Sequence, residues 1–137
     1  MPSRSEILTA ARAWMDTPFR HQGRCRGVGV DCIGLIVGVA RDLGVDTRDR
    51  TDYPRQPDGS SLEAALDGQL RRLAPGTMGP GDVLLLRIRR MPQHVGFLAE
   101  HGTIIHAHSA AGRVVEMRLN ERWWDRLVAA YRLPGVE

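Results

Sequence analysis

A nearly continuous run of apolar residues in the first third of the chain is the strongest pattern in the sequence. The run follows Gly29-Val30-Asp31 and has one cysteine, Cys32, at its first turn. Its apolar positions are Ile33, Leu35, Ile36, Val37, Val39, Ala40 and Leu43. The run is too long for an ordinary strand and Asp31 is a preferred N-cap, so the pattern predicts a helix that begins with Cys32 and ends at Gly44. Because this helix is apolar on nearly every face, we expect it to be the central, buried helix of the domain.

Two further helices are predicted by capping residues that precede apolar positions at helical spacing. The first follows the Ser-x-x-Glu box of Ser3 and Glu6, and its apolar face comprises Ile7, Leu8, Ala11, Trp14 and Met15. The second follows the similar box of Ser60 and Glu63, and its apolar positions are Leu62, Ala65, Leu66, Leu70 and Leu73. Residues 46–60 are charged, contain prolines and show no periodicity, which indicates an irregular connection.

The second half of the chain changes to short apolar runs separated by turn residues, which is the pattern of β-strands. The predicted strands span residues 83–88, 94–99, 103–108, 114–119 and 127–133, with a short helix over 120–125. Helices first and antiparallel strands afterwards indicate an α+β domain, in which the central helix packs on the sheet.

Length, composition and charge argue against several classes of protein. The 137 residues fit one domain over 1–137, and a hydrophobic content of 42% argues against a disordered chain. All nineteen basic residues are arginines, but they are interleaved with acids and the net charge is only +3, so we expect no nucleic-acid partner. The first residues lack the apolar core of a secretory signal, and no apolar run is long enough to cross a bilayer. We therefore expect neither general export nor membrane insertion.

The two cysteines, Cys25 and Cys32, form neither a disulfide framework nor a usual zinc pattern. At the start of the central helix, free backbone amides and the helix dipole favour a thiolate, so Cys32 is a candidate nucleophile that needs a base. The alternatives are that Cys32 is a small buried hydrophobe, or that it forms a bridge to Cys25, which would silence it. Nucleophilic thiol chemistry requires neither a metal nor an organic cofactor.

Four short motifs occur in a fixed order along the chain. They are Asp31-Cys32-x-Gly34-Leu35, Gly81-Asp82-Val83, His94-Val95-Gly96 and Ile105-His106-Ala107. Together they resemble the NlpC-type family of papain-like bacterial cell-wall cysteine peptidases. The resemblance implies a papain-like domain in which Cys32 is the nucleophile, His94 the general base and His106 the residue that orients His94. It also implies substrate contacts at Phe19, His21, Gln22 and Asp31.

The resemblance implies a substrate and a setting as well. The implied substrate is a peptidoglycan stem peptide, cut between D-glutamate and diaminopimelate. The segment Pro18-Phe19-Arg20-His21-Gln22 resembles the branch of the family found in phage tails and gene-transfer particles. We therefore expect the protein to be made in the bacterial cytoplasm without a signal peptide and held by a tail-tip or hub protein, where it opens the cell wall for DNA entry.

Two departures from the family pattern leave alternatives open. The family usually has tyrosine where this chain has Phe19, and often has serine where it has Ile33. Both changes affect the surroundings of the reacting carbonyl. The alternatives are therefore an N-acetylmuramoyl-L-alanine amidase with the same Cys/His chemistry and a catalytically weak structural component of a tail. A redox protein that uses Cys25 and Cys32 would require bonded sulfurs.

The proposed roles of the histidines have a geometric consequence. Side chains alternate between the faces of a strand, so a two-residue turn at His101-Gly102 would place His94 and His106 on opposite faces. The hypothesis therefore predicts a loop with an odd number of residues, or a β-bulge, between the two strands. His108 lies two residues after His106 on the same face and is the alternative third residue.

Overall fold

The computed structural model describes residues 2–49, 51, 53 and 60–136. Helix α1 (Arg4–Arg12) begins at the predicted capping box, in which Ser3 accepts from the Glu6 amide and Glu6 accepts from the Ser3 amide. Strands β1 (Arg24–Cys25) and β2 (Gly29–Val30) form a small antiparallel ribbon just before helix α2 (Cys32–Asp42). Helix α3 (Ser61–Gln69) then leads into the sheet.

Within the described ranges, the main sheet is antiparallel and has six strands. In chain order they are β3 (Arg71–Arg72), β4 (Val83–Ile88), β5 (Met91–Leu98), β6 (Thr103–His108), β7 (Arg113–Arg118) and β8 (Leu127–Arg132). Their order across the sheet is β3-β8-β4-β5-β6-β7. A short 3-10 turn (Glu100–Gly102) joins β5 to β6, and a four-residue helix, α4 (Glu121–Trp124), precedes β8.

Both faces of the sheet are apolar. The larger core lies between one face and helices α1 and α2, where Ile7, Leu35 and Phe97 are fully buried. Helix α2 approaches the turn that follows α1 closely at Gly38, where an added Cβ would lie 2.2 Å from the Trp14 ring. The smaller core, on the other face, contains Leu84, Leu86 and Ile104 and is covered by Trp123 and Trp124 of α4. Within the described residues, no helix is long and apolar enough to span a bilayer.

The structure confirms the α+β class and corrects several boundaries. The strands predicted over 83–88 and 103–108 and the helix that begins at Cys32 are confirmed. The helix predicted after Ser60 is shorter than predicted, because Arg71–Arg72 pairs with β8 and Leu70 is extended, and its predicted capping box is not formed, since the Ser60 side chain makes no capping hydrogen bond. β5 begins at Met91 rather than at His94, so the segment between the strands predicted over 83–88 and 94–99 contains only a two-residue turn. Part of the connection predicted over 46–60 lies outside the described residues.

Candidate active site

Cys32 lies in the first turn of α2, directly after the N-cap residue Asp31. Asp31 is extended, and its carboxylate accepts from the Gly34 amide at 2.8 Å, which satisfies one free donor of the helix start. The Cys32 side chain is half-buried, and its thiol donates a long contact, 4.0 Å, to the carbonyl of Gln93. The sulfur therefore lies against the β5 backbone next to His94.

His94 and His106 share one face of the sheet, as the chemistry required. The β5–β6 pairing sets Leu98 opposite Ile104, and the Ala99 amide donates to Thr103, so the loop contains three residues, Glu100–Gly102. The prediction of an odd loop is confirmed. The Nε2 atom of His94 lies 2.6 Å from Nδ1 of His106, a short hydrogen bond between buried rings. This bond leaves Nδ1 of His94 as the ring nitrogen available to a thiol.

Gly96 makes room for this histidine pair. A Cβ added at Gly96 would lie 2.8 Å from Cβ of His106 and 2.7 Å from Cδ1 of Ile104. Cβ atoms in folded proteins do not come this close to other heavy atoms. The His106 side chain therefore fits at this position because residue 96 is a glycine and has no Cβ. Sequence reasoning included Gly96 in a motif but assigned it no role.

His108 stacks on His106 rather than bonding His94. The His106 and His108 rings are 4.8 Å apart and within 10° of parallel, whereas the His94 and His108 centroids are 6.1 Å apart. The three histidines bring ligand nitrogens within 4.8 Å of one another, which makes them a candidate metal set. Parallel ring planes direct their lone pairs side by side rather than towards one point, and His94 and His106 already bond each other. The arrangement fits a hydrogen-bonded pair better than a metal centre.

Burial sets the protonation states of these groups. It raises the pKa of the Cys32 thiol to about 12, with the Asp31 carboxylate adding to the effect, while nearby backbone amides lower it by a smaller amount. Burial also lowers the pKa of His94 to about 3 and that of His106 to about 2. The expectation of a resting thiolate is therefore wrong for the free protein, because it counted the helix amides and not the loss of solvent. The resting pair is a thiol and a neutral imidazole.

This resting state predicts how Cys32 responds to alkylation. We expect iodoacetamide to label Cys32 more slowly than N-acetylcysteine from pH 7 to 10, with a rate that rises about tenfold per pH unit, because only the thiolate reacts. Peptide mapping by mass spectrometry measures the rate at each pH. Restricted access would lower every rate equally and leave the slope unchanged. A rate independent of pH below 7 would instead show a preformed thiolate and contradict the burial argument.

The buried histidines also predict acid sensitivity. Their pKa values are lowered in the folded protein, so below about pH 6.5 the unfolded chain binds protons that the folded chain does not, and stability falls as the pH falls. For two such residues we expect the free energy of unfolding to drop by roughly 2 kcal/mol between pH 6 and 5. Urea unfolding at both pH values measures the drop. His106→Asn should halve it, and a variant with an unchanged drop would contradict the assignment.

Cys32 and His94 open onto a single cleft of about 720 Å³. Of the four residues expected to contact substrate, Phe19, His21 and Asp31 line this cleft. Gln22 does not line the cleft. Its side chain donates to the backbone carbonyl of Tyr53 at 2.7 Å and its backbone N–H donates to the Asp31 carboxylate, so Gln22 stabilises the fold around the N-cap and does not face the substrate. Both cysteines are free thiols and Cys25 is exposed, so the bridge considered from the sequence is not formed.

A polar cluster behind the cleft holds the Asp31 carboxylate, and sequence reasoning missed it. Besides Gly34 and Gln22, Asp31 accepts from Arg24 at 3.0 Å and from the Tyr53 hydroxyl. Arg24 in turn donates to Tyr53 and pairs with Asp49. These bonds fasten part of the irregular connection to the N-cap of α2. Nothing periodic marks Tyr53 in the sequence, so no local signal could have found it.

The sequence matches a known protein family over most of its length. The sequence profile described as the NlpC/P60 family matches residues 16–132, which include α2, the histidine pair and every described strand of the main sheet. The chain belongs to the NlpC/P60 family. The family consists of peptidoglycan-hydrolysing cysteine peptidases, in agreement with a thiol and an imidazole facing one cleft.

The related proteins with a similar sequence are named as enzymes that act on murein. The Escherichia coli K12 protein named murein DD-endopeptidase MepS/murein LD-carboxypeptidase is 23% identical over 123 residues, which cover 90% of this chain. The same alignment covers 58% of the E. coli protein, so the chain spans little more than half the length of that relative.

Solved NlpC/P60 structures confirm the papain-like α+β fold. A family member from Bacillus cereus superposes with a TM-score of 0.74 at 18% identity, covering 96% of this chain and 40% of that one. The peptidoglycan hydrolase RipB from Mycobacterium tuberculosis superposes with a TM-score of 0.67 at 20% identity, covering 95% of this chain and 64% of that one. At these identities the likeness establishes the fold.

Proposed function

We propose that the protein is a cysteine endopeptidase that hydrolyses an amide bond in the stem peptides of peptidoglycan. The observation that carries the proposal is that Cys32, at the helix start, and His94 line one cleft, while the buried His106 bonds His94 from behind. A thiol, a base and a residue that orients the base are the parts that acyl transfer requires. The family membership supports the same reaction class.

The hydrogen bond between His94 and His106 supports one direction of proton transfer. If Nε2 of His94 donates to Nδ1 of His106, then Nδ1 of His94 is unprotonated and can accept the thiol proton. Proton removal accompanies sulfur attack on the substrate carbonyl, and His94 then gives the proton to the leaving amine, which leaves a thioester on Cys32. Water, deprotonated by the same imidazole, hydrolyses the thioester and restores the thiol.

The N-terminus of α2 supplies the electrophilic side of the site. We assign the backbone amide of Cys32 to the oxyanion that forms on the substrate carbonyl, since amides at a helix start carry partial positive charge. Phe19 has no hydroxyl to add to this stabilisation, and Ile33 adds none from the position after the nucleophile. We therefore expect turnover that depends on backbone donors more than on side chains.

We propose the bond between D-glutamate and diaminopimelate as the site of cleavage, and the tail tip of a phage or gene-transfer particle as the setting. The motifs around Cys32 and the segment over 18–22 support both. The E. coli relative is named for DD-endopeptidase and LD-carboxypeptidase activities, so these two bonds must be separated from the proposed one. The tail setting is tested apart, by detecting the chain in purified particles and measuring DNA entry by particles that carry Cys32→Ala.

Product masses test the proposed reaction. Purified protein is incubated with monomeric tripeptide and tetrapeptide muropeptides and with cross-linked dimers, with an iodoacetamide-treated sample as the control. We expect a muramyl fragment that ends in glutamate, together with free diaminopimelate from the tripeptide and a peptide that begins with diaminopimelate from the longer stems. Release of the whole stem peptide would instead identify an amidase, conversion of dimers to monomers a DD-endopeptidase, and loss of the terminal D-alanine an LD-carboxypeptidase. Intact substrates throughout would favour the structural tail component.

A further inference from the structure

The cleft carries two positive charges that the catalytic chemistry does not use. Among the residues that the structure describes, its lining side chains with a formal charge are Asp31, Arg89 and Arg126. The Asp31 carboxylate is 4% exposed and already accepts from Gly34, Gln22, Arg24 and Tyr53, so it presents little negative charge to a ligand. The space beside Cys32 is therefore bordered by two guanidinium groups and a neutralised carboxylate.

Arg89 is held in an unfavourable backbone conformation at the tip of the β4–β5 hairpin. Ile88 pairs with Met91, so Arg89 and Arg90 alone form the turn, and their φ angles are 51° and 72°. Two consecutive left-handed residues are characteristic of the I′ hairpin turn, which strongly prefers asparagine, aspartate and glycine because other side chains crowd the backbone there. Strained backbone conformations of this kind are found most often at functional sites, where they place a side chain in the position that binding or catalysis requires.

Arg126 reaches the same end of the sheet from the other side. Its carbonyl accepts from the Arg87 amide at 2.8 Å, which places residue 126 beside the end of β4. Its guanidinium lies 4.9 Å from the centre of the Trp123 ring, a cation–π contact that holds it at the cleft. Within the described part of the chain, neither Arg89 nor Arg126 has an ion-pair partner, whereas the arginines at 4, 12, 24 and 132 each pair with a carboxylate.

One residue connects this hairpin to the reacting sulfur. The side chain of Gln93 donates to the Ile88 carbonyl at 2.6 Å, next to the turn that carries Arg89. The carbonyl of Gln93 accepts the 4.0 Å contact from the Cys32 thiol. Arg89, Gln93 and Cys32 line the same cleft, so a ligand group held by Arg89 lies in the cleft onto which the sulfur opens.

We propose that Arg89 and Arg126 form a subsite for a free carboxylate of the substrate, next to the scissile amide. The proposal rests on the proposed peptidase function. A guanidinium binds a carboxylate through two parallel hydrogen bonds, which fixes the orientation of the group as well as its charge. Both residues that flank the proposed bond supply such a group: D-glutamate has a second carboxylate outside the amide, and diaminopimelate has carboxylates of its own.

Matched substrates and variants test the subsite. Stem peptides with a free D-glutamate carboxylate, with that carboxylate amidated, and with the diaminopimelate carboxylates amidated are compared for kcat/KM. We expect the wild type to prefer the fully free peptide roughly 10- to 100-fold, the range for a charged hydrogen-bonded contact. Arg89→Gln and Arg126→Gln should lose most of this preference through a higher KM. The amidated peptide that is cleaved poorly identifies which carboxylate is bound.

Arg90→Gln is the matched control, since residue 90 lies in the same turn and also has a positive φ but is not part of the cleft lining. It should retain the wild-type preference. Equal cleavage of free and amidated peptides by the wild type, or an Arg89→Gln variant indistinguishable from Arg90→Gln, would overturn the subsite while the peptidase function stood. No cleavage of any peptide by the wild type would overturn the proposed function and the subsite with it.

Discussion

Substitution of Cys32 by alanine is expected to lower kcat for muropeptide cleavage by about 10⁴-fold or more, the scale seen when an enzyme loses its nucleophile. Alanine removes the sulfur that forms the thioester and leaves the helix start, the cleft and the arginines in place. Because alanine differs from cysteine by the loss of one heavy atom, the change should cost little stability, so the variant should fold and still bind stem peptide. Steady-state cleavage followed by chromatography measures kcat.

Cys25→Ser is the control for this prediction. Cys25 is exposed, lies on the two-residue strand β1 and does not line the cleft, so its replacement should leave kcat and KM within about twofold of the wild type. A Cys32→Ala variant that cuts as fast as the parent, or a Cys25→Ser variant that is inactive, would refute the assignment of the nucleophile.

Replacement of His94 by alanine is the second change with a large expected effect. We expect kcat to fall by about 10³-fold, since general acid–base catalysis contributes factors of 10² to 10⁴ and the resting thiol depends on this imidazole for deprotonation. Burial raises the pKa of Cys32 to about 12, so little thiolate forms near neutral pH without a base. Between pH 7 and 10 the residual kcat of His94→Ala should therefore rise with pH, because the fraction of Cys32 present as thiolate rises with the hydroxide concentration.

Two comparison variants separate the base from its neighbours. His101 lies at the loop tip with a positive φ and is exposed, so His101→Asn, which tolerates that conformation, should be fully active. His106→Asn should lower kcat by a smaller factor than His94→Ala with KM unchanged, because His106 positions the imidazole and does not contact the substrate. Equal activity of His94→Ala and His101→Asn would remove His94 from the mechanism.

The parts of the fold that sequence reasoning predicted correctly are those set by local chemistry. The N-cap at Asp31 and the apolar run after it specify α2 because both signals lie within a few residues of each other. The shared face of His94 and His106 follows from the alternation of side chains along strands, so the requirement of an odd loop could be stated in advance. The order of the four motifs provided the family.

The features that were missed depend on partners distant in sequence. β3 is only Arg71–Arg72 and exists because β8 offers an edge to pair with. Tyr53 acquires its role only when the chain folds back onto Asp31, 22 residues away. The direction of the Cys32 pKa was mispredicted because burial by β5 is a tertiary effect, whereas the helix amides are local. The two-arginine turn has no turn signal, since its residues are among those the conformation disfavours.

Trapping the acyl-enzyme tests the central claim most directly. The wild type is mixed with a stem peptide, quenched in acid during turnover, digested and mapped by mass spectrometry. We predict that the peptide containing Cys32 gains the acyl half of the substrate in place of the thiol hydrogen, and that the peptide containing Cys25 is unmodified. An acyl adduct on any residue other than Cys32 would contradict the mechanism.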